Sequence, residues 1–344
     1  MSRRAATLLV AAAGVLIAII VAAVAPVPYV ALMPGPTLNT LGSLSGKPLI
    51  QVKGHPTYPT KGDLNMVTVS FMGGPGSRNF NIFRALRAWL SPQDAVVPES
   101  EIFTPGQSSQ QVAREDTEEM ASSQETATAA ALCQLKINFR TLDTVEATVS
   151  GMPAAGVLRA GDVITAVGGT PVTCRSDAGT LIKARKPGAP VELTILRHGT
   201  TKHVRLITAN SQGVPEIGVQ IVESYDFPFN VSISVGNIGG PSAGMMFALG
   251  IIDKITPDNL TGGRFIAGTG EIEANGTVDP IGGIQQKMAG ARAAGATVFL
   301  TPVANCPDTT GSVPAGLRLI KVSSLAGAIA DLNALKAGRP VPSC

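Results

Sequence analysis

From Ala5 to Ala25 the chain runs for twenty-one residues without a charge, and no other stretch narrows its structural options so far. At about 1.5 Å of rise per residue such a run makes a helix of roughly 30 Å, the thickness of the hydrocarbon core of a bilayer. Arg3 and Arg4 precede it and no basic cluster follows closely. The positive-inside rule then places the short N-terminus in the cytoplasm and everything after residue 30 outside. A cleaved signal peptide is the competing reading, but its apolar region is normally about 7 to 15 residues long. The triplet Ala23-Val24-Ala25 resembles a cleavage site, yet Pro26 follows it directly. The expectation is an uncleaved, single-pass cell-membrane anchor over residues 1–30, with the rest of the chain extracytoplasmic.

The remainder is long enough for two modest domains, each with its own core. A hydrophobic content of 44% excludes a disordered chain. A net charge of +3 gives a generic polyanion no hold, so nucleic acid is not an expected partner. Four cysteines, Cys133, Cys174, Cys306 and Cys344, form no C-x-x-C pair and have no neighbouring histidine, so no metal site is expected. In an exported chain an even number reads as a disulfide set, for which three connectivities exist. Cys133 with Cys174 and Cys306 with Cys344 is the favoured one, because each pair flanks one candidate structural unit. Four free buried thiols are the alternative.

Short strands are expected at Leu49–Val52 and Met66–Phe71, the second ending in the turn Gly73-Gly74-Pro75-Gly76. Ile82, Phe83, Leu86, Trp89 and Leu90 stand at helical spacing before Pro92. A helix facing the core is expected there, with contact to a membrane surface, through Arg84 and Arg87, as the other reading. A second helix is expected from about Ser109 to Leu135. Residues 144–207 then alternate β-branched residues with glycine turns. Within them SGMPAAGVLRAGDVITAVGGTPV (150–172) resembles the middle of a PDZ domain of the bacterial protease-associated type. The resemblance implies capture of peptide C-termini by strand addition at a sheet edge. No carboxylate-binding loop is evident, and a purely structural insert is the other reading.

The residues able to do chemistry lie between 231 and 305. An apolar strand, Val231–Val235, leads through Gly239-Gly240-Pro241 to Ser242 at the head of a helix expected over Ala243–Ile252. There the helix N-terminus offers unpaired N–H groups and a positive dipole to a developing oxyanion. Pro241 has no N–H, so the expected donors are the backbone groups of Gly240 and Ser242. A plain helix cap is the structural alternative for Ser242. Gly240 to Gly244 also fits the G-x-S-x-G elbow of α/β-hydrolases, whose triad runs serine, acid, histidine. His55, His198 and His203 all precede Ser242, against that order, and His198 and His203 lie in the PDZ-like strands as expected surface residues, which leaves only His55 for a serine–histidine esterase. A neutral lysine can serve instead. Lys287 shares an apolar helical face with Ile284, Met288, Ala291 and Ala294, while Gln285, Gln286 and Arg292 point elsewhere. Burial lowers the pKa of such a lysine, whereas snorkelling to water would not.

Three segments in order, GGPSAG (239–244), AGTGEIEANGTVDPIGGIQQK (267–287) and AGARAAGATVFLTPVAN (289–305), resemble the proteolytic domain of Lon proteases. The resemblance implies a catalytic dyad of Ser242 and Lys287, with Thr269 hydrogen-bonded to the lysine amine and holding it towards the serine. It further implies an α+β fold: a Lon-type proteolytic domain with an inserted, mainly-β PDZ domain, after one N-terminal transmembrane helix. The expected divisions are an anchor at 1–30, the front of the proteolytic region at 31–135, the PDZ domain at 136–208 and the catalytic part at 209–344. By the same resemblance a homo-oligomer, as in hexameric Lon rings, is expected.

The chain departs from Lon in lacking a G-x-x-x-x-G-K-[ST] loop for ATP phosphates, so no cofactor and no unfolding motor are expected. Gly239 also replaces the acidic residue often found before Gly-Pro-Ser. The implied function is an ATP-independent serine endopeptidase that cleaves unfolded or flexible exported polypeptides near the membrane. The alternative is a membrane-tethered PDZ scaffold whose Lon-like part is inactive or latent.

Overall fold

The computed structural model describes residues 3–77 and 79–344. The uncharged N-terminal stretch is a helix, α1 (Arg3–Val24), with no buried residue. It is long and apolar enough to cross a membrane. The chain continues into β1 (Tyr29–Asn39), β2 (Ile50–Lys53) and β3 (Asp63–Gly73). β1 and β3 pair antiparallel from Val30 opposite Gly73 to Asn39 opposite Asn65, with an irregularity between Pro34 and Thr37. That break falls where Pro34 and Pro36 have no N–H to donate to a ladder.

Helix α2 (Ile82–Trp89) follows, capped by the Asn81 side chain, which accepts the Arg84 N–H. It overturns the expectation of a core-facing apolar stripe. Ile82 is 47% exposed and Trp89 69%, and Phe83, Leu86 and Leu90 are exposed as well. The helix buries Ala85 and Ala88 instead, against Ala31 and Phe80. Short side chains let α2 lie close to β1, and the bulky ones are left on the outside. After the edge strand β4 (Ala95–Pro98), which pairs with β1, the long helix α3 (Ser109–Gln134) begins with a Ser108–Gln111 capping box. Its first half is mostly exposed, while Met120, Ser123 and Ala127–Cys133 are buried.

The insert consists of β5 (Arg140–Thr148), β6 (Val163–Val167), α4 (Ala178–Lys183), β7 (Pro190–Arg197), β8 (Thr200–Ile207) and β9 (Val219–Asp226). Its main sheet runs β8-β7-β6-β5-β9, so it takes in chain downstream of residue 208. Val145, Ile164, Leu193 and Ile195 centre a core separate from that of the rest. The buried Asp162 carboxylate, paired with Arg197, fastens β7 to the turn before β6.

After the insert, β10 (Asn230–Ile233) pairs with β2. The chain then forms α5 (Gly244–Ile255), β11 (Phe265–Gly268), the short hairpin β12 (Glu271–Ile272) and β13 (Val278–Asp279), α6 (Ile284–Ala293), β14 (Val298–Pro302), β15 (Arg318–Val322) and α7 (Leu325–Lys336). One six-stranded sheet, β15-β14-β11-β3-β1-β4, combines chain from before and after the insert. Its joint is β11 lying parallel to β3, Phe265 opposite Asp63 through Gly268 opposite Met66. α5 is apolar almost all round, with every residue but Lys254 buried, as a helix enclosed by its own domain must be. The architecture is therefore α+β, with a mainly-β unit inserted between two halves of one sheet.

Two disulfides are present, Cys133–Cys174 and Cys306–Cys344. The first ties the end of α3 to the insert and closes a loop of 41 residues. Loop-closure entropy assigns such a cross-link about 3–4 kcal/mol. Replacing both Cys133 and Cys174 by serine should therefore lower the denaturant midpoint of the insert clearly, read by a probe placed in that unit, and an unchanged midpoint would refute this.

Candidate active site

Ser242 occupies a turn that is held from behind by α3. The Ser123 hydroxyl donates to the Pro241 carbonyl at 2.9 Å, and the Gly240 N–H donates to the Asp116 carbonyl at 3.1 Å. Gly240 itself is left-handed, with φ 82°. Gly239 has to be glycine here, because a Cβ at that position would collide with the Cβ of Asp116. The residue that caps α5 is Ala243, with no side-chain cap bond. Ser242 is thus not spent as a helix cap, and its hydroxyl is free for another partner.

That partner is Lys287. The loop before α6 is pinned by Asn305, which accepts the Ile281 N–H and donates its amide to the Ile281 carbonyl, both at 2.9 Å. Gly283 opens the helix with φ 68°, and a Cβ there would come within 2.7 Å of Val69. The first turn of α6 can therefore press against β3, which carries Lys287 inwards until only 3% of it is exposed. Ile284, Met288 and Ala291 are buried beside it, as their shared face requires. Gln286, expected on the outer face, is buried too, with its amide 3.4 Å from the Gln93 carbonyl. Ala294, expected on the inner face, is exposed just past the helix end.

The Lys287 amine lies 2.7 Å from Ser242 Oγ and 3.3 Å from Thr269 Oγ1. Thr269 donates its own hydroxyl proton to the Ser242 carbonyl at 2.9 Å, and the Gly270 N–H reaches the same carbonyl at 2.9 Å. The Thr269 oxygen is thereby left as an acceptor for an amine N–H. No carboxylate pairs with Lys287 among the described residues. Burial alone pushes its ammonium down from 10.5 to about 7, because desolvation penalises the charged form. With the amine neutral, its lone pair faces the Ser242 hydroxyl, and this is the arrangement that lets an amine remove a serine proton.

Of the two expected oxyanion donors, Gly240 is already committed to Asp116. The N–H groups of Ser242 and Ala243 donate to nothing among the described residues, and both stand at the positive end of α5. His55 packs against Phe229 at a tilt of 38°, ring centroids 4.5 Å apart, and neither it nor His198 or His203 lines the cleft around Ser242. That cleft holds about 550 Å³ and is bordered by Phe71, Asp116, Met120, Gly240 and Lys287. Val67–Phe71 of β3 form one wall. Because β11 pairs with β3 only as far as Met66, no described strand pairs with Val67–Phe71 on the side away from β1.

Asp116, Ser123 and Asn305 were not singled out from sequence as parts of the site. Ser123 carried one signal, a polar residue on the side of α3 that becomes apolar further along. Burial, and then the neighbouring Glu115, raise the Asp116 carboxyl above its usual range.

Residues 136–208 match the PDZ domain family, and residues 219–331 match the Lon protease (S16) C-terminal proteolytic domain family. Lon protease 1 of Bacillus subtilis (strain 168) is 35% identical over 115 residues, covering 32% of this chain and 15% of that protein. Lon protease 2 of Herpetosiphon aurantiacus is 43% identical over 79 residues, covering 23% of this chain and 9% of that protein. The chain thus spans only a small part of the length of these relatives. Among solved structures, the PDZ domain of an SdrC-like protein from Listeria innocua is similar at 27% identity, with a TM-score of 0.22 over 23% of this chain and 92% of that one. On the two family matches, the chain carries a PDZ domain at residues 136–208 and, after it, a Lon protease (S16) C-terminal proteolytic domain at residues 219–331.

Proposed function

We propose that this protein is a serine endopeptidase that works by a Ser242–Lys287 dyad and needs no ATP. The observation that supports it most is a buried lysine amine, without a carboxylate partner, at hydrogen-bond distance from a serine hydroxyl that caps nothing. A solvated lysine would be protonated and could not act as a base.

In this reading Ser242 Oγ attacks the scissile carbonyl carbon while its proton passes to Lys287 Nζ. The N–H groups of Ser242 and Ala243 hold the carbonyl oxygen as it gains charge. The C–N bond then breaks, Lys287 returns the proton to the departing amine, and an acyl-enzyme remains on Ser242. Water, deprotonated by the same amine, attacks the acyl carbon, the bond to Ser242 Oγ breaks with the proton passing back from Lys287 to that oxygen, and the acid leaves. Thr269 acts as a positioning residue, since its oxygen accepts from the amine and aims the lone pair at Ser242.

The unpaired edge Val67–Phe71 suits an extended polypeptide, which would add to β3 as a strand. The cleft thus favours unfolded or flexible segments, and the sequence contains no loop for ATP phosphates that could drive unfolding. The PDZ domain would deliver polypeptide C-termini, and α1 would hold the enzyme at the outer face of the membrane. The pre-assembled dyad speaks against the scaffold reading.

Incubating the full chain with unfolded casein, without ATP, should release peptides detectable by mass spectrometry. Ser242→Ala should abolish release, and Lys287→Ala should lower it by about a thousandfold. Release that survives in both variants would refute the site.

The lysine also sets the pH response. Because the base must be neutral, kcat/KM should rise through about pH 7 and level off above it. A flat profile from pH 6 to 8 would sink the neutral-lysine mechanism.

Stability should follow the same group. Between about pH 7 and 10.5 the unfolded chain holds a proton on Lys287 that the folded chain does not, so this contribution to stability rises with pH. Below pH 7 the penalty is complete and on the order of 5 kcal/mol. Lys287→Met should therefore melt higher than wild type at pH 6, with the gap closing towards pH 10. A constant gap in Tm would contradict the burial argument.

A further inference from the structure

Helix α2 presents to solvent the residues that a core helix would hide. At about 100° per residue, Trp89, Ile82, Leu86, Leu90 and Phe83 fall within an arc of roughly 120°. Arg87 and Arg84 follow on one flank of that arc, both exposed. Ala88 and Ala85 occupy the remaining side, which rests on Ala31 and Phe80. Beyond its attachment to the end of α1, no described residue covers the apolar face, which stays exposed and is edged by positive charge.

Its location identifies the occupant. The Asn81 amide donates to the Ala23 carbonyl near the end of α1 at 2.6 Å. Pro26 bridges to Asn81, and the Val27 N–H donates to the Phe80 carbonyl at 3.0 Å. α2 is thus fastened directly to the point where the chain leaves α1, so the apolar arc lies where a bilayer spanned by α1 would have its surface. Lipid meets every requirement of this face: acyl chains for the apolar arc, an interfacial site for tryptophan, and phosphate groups for Arg84 and Arg87.

We propose that α2 is an interfacial helix that lies in the outer leaflet beside the span, with its apolar face among the upper acyl chains and its two arginines on lipid phosphates. The inference rests on the reading of α1 as a membrane span. It has a consequence for the cleft. Val30, just after the span, is paired with Gly73, so the end of β3 that carries Phe71 is the end nearest the anchor. A single helix would let the catalytic domain swivel about its connection. A second, rigidly attached contact fixes its tilt and keeps the Phe71 end of the cleft close to the bilayer.

Trp89 is the only tryptophan of the chain, which makes it the reporter. The full chain would be reconstituted into vesicles of phosphatidylcholine with an anionic fraction of phosphatidylglycerol. Retention after an alkaline wash and flotation reads the span. Tryptophan emission, its quenching by acyl-brominated phosphatidylcholine, and its quenching by acrylamide read α2. The expected result is emission at shorter wavelength than in water, with bromolipid quenching several-fold stronger than in a Phe83→Glu/Leu86→Glu variant that floats equally well and cleaves a soluble peptide at the wild-type rate. Retained protein whose Trp89 is quenched by acrylamide and untouched by bromolipid would overturn the interfacial helix while leaving the span intact. Emission that shifts only as the protein-to-lipid ratio rises, again without bromolipid quenching, would overturn it in favour of a second copy of the chain. Loss of the protein from the vesicle fraction would overturn the span and the interfacial helix together.

Discussion

A lysine amine withdrawn from water and faced by no carboxylate is the arrangement on which the site depends. Left in solvent, Lys287 would be an ordinary cation. Paired with an acid it would be a salt bridge and still a cation. Only burial among Ile284, Met288 and the wall of β3 makes a neutral amine accessible near neutral pH. That burial requires α6 to meet β3 closely, which in turn requires the left-handed, side-chain-free Gly283 against Val69. The chemistry therefore rests on a backbone contact one turn away from it, and on an Asn305 clamp that holds the preceding loop in place.

The direction of each hydrogen bond matters as much as the distances. The Ser242 carbonyl takes the Thr269 hydroxyl proton and the Gly270 N–H. Because the threonine proton is committed there, its oxygen can only accept, and the amine must turn an N–H towards it. The lone pair of a neutral lysine is then left for the serine. Polar groups buried in this manner carry a desolvation cost that rules out half-satisfied alternatives.

How far the sequence revealed this site follows from which interactions are local. Ser242 and Lys287 could be named because each sits in a segment with its own turn and helix grammar, and Thr269 only because the three segments, in order, resemble the Lon proteolytic domain. Asp116 and Ser123 could not, since they act across the whole insert, Ser123 meeting Pro241 from 118 residues away. Gly240 was expected as an oxyanion donor on its place in the turn, but a carbonyl of α3 has already taken its N–H. For α2 the periodicity correctly marked a coherent apolar face and said nothing about its direction. Contact was decided by Ala85 and Ala88, which a reading of large apolar residues passes over. The same limit did not touch α5, where apolar residues all round leave no direction to choose.

Helix α3 joins these parts physically. Asp116 and Ser123 hold the Ser242 turn, Ala127 and Ala130–Leu132 pack into the main core, and Cys133 is bonded to Cys174 of the insert. Arg175 adds a second link, donating to the Cys133 carbonyl at 3.3 Å. The insert interrupts a sheet whose two halves must find each other through β3 and β11, a pairing between residues 63–66 and 265–268. Such distant contacts are slow to form because the intervening loop must first be closed. A mainly-β insert with its own core shortens the effective loop once it has folded, and the α3–insert cross-link then holds its ends in register with the helix that shapes the cleft. The insert is in this sense part of what positions Ser242, even though the hydrogen-bond partners of the Ser242 and Lys287 side chains all lie outside it.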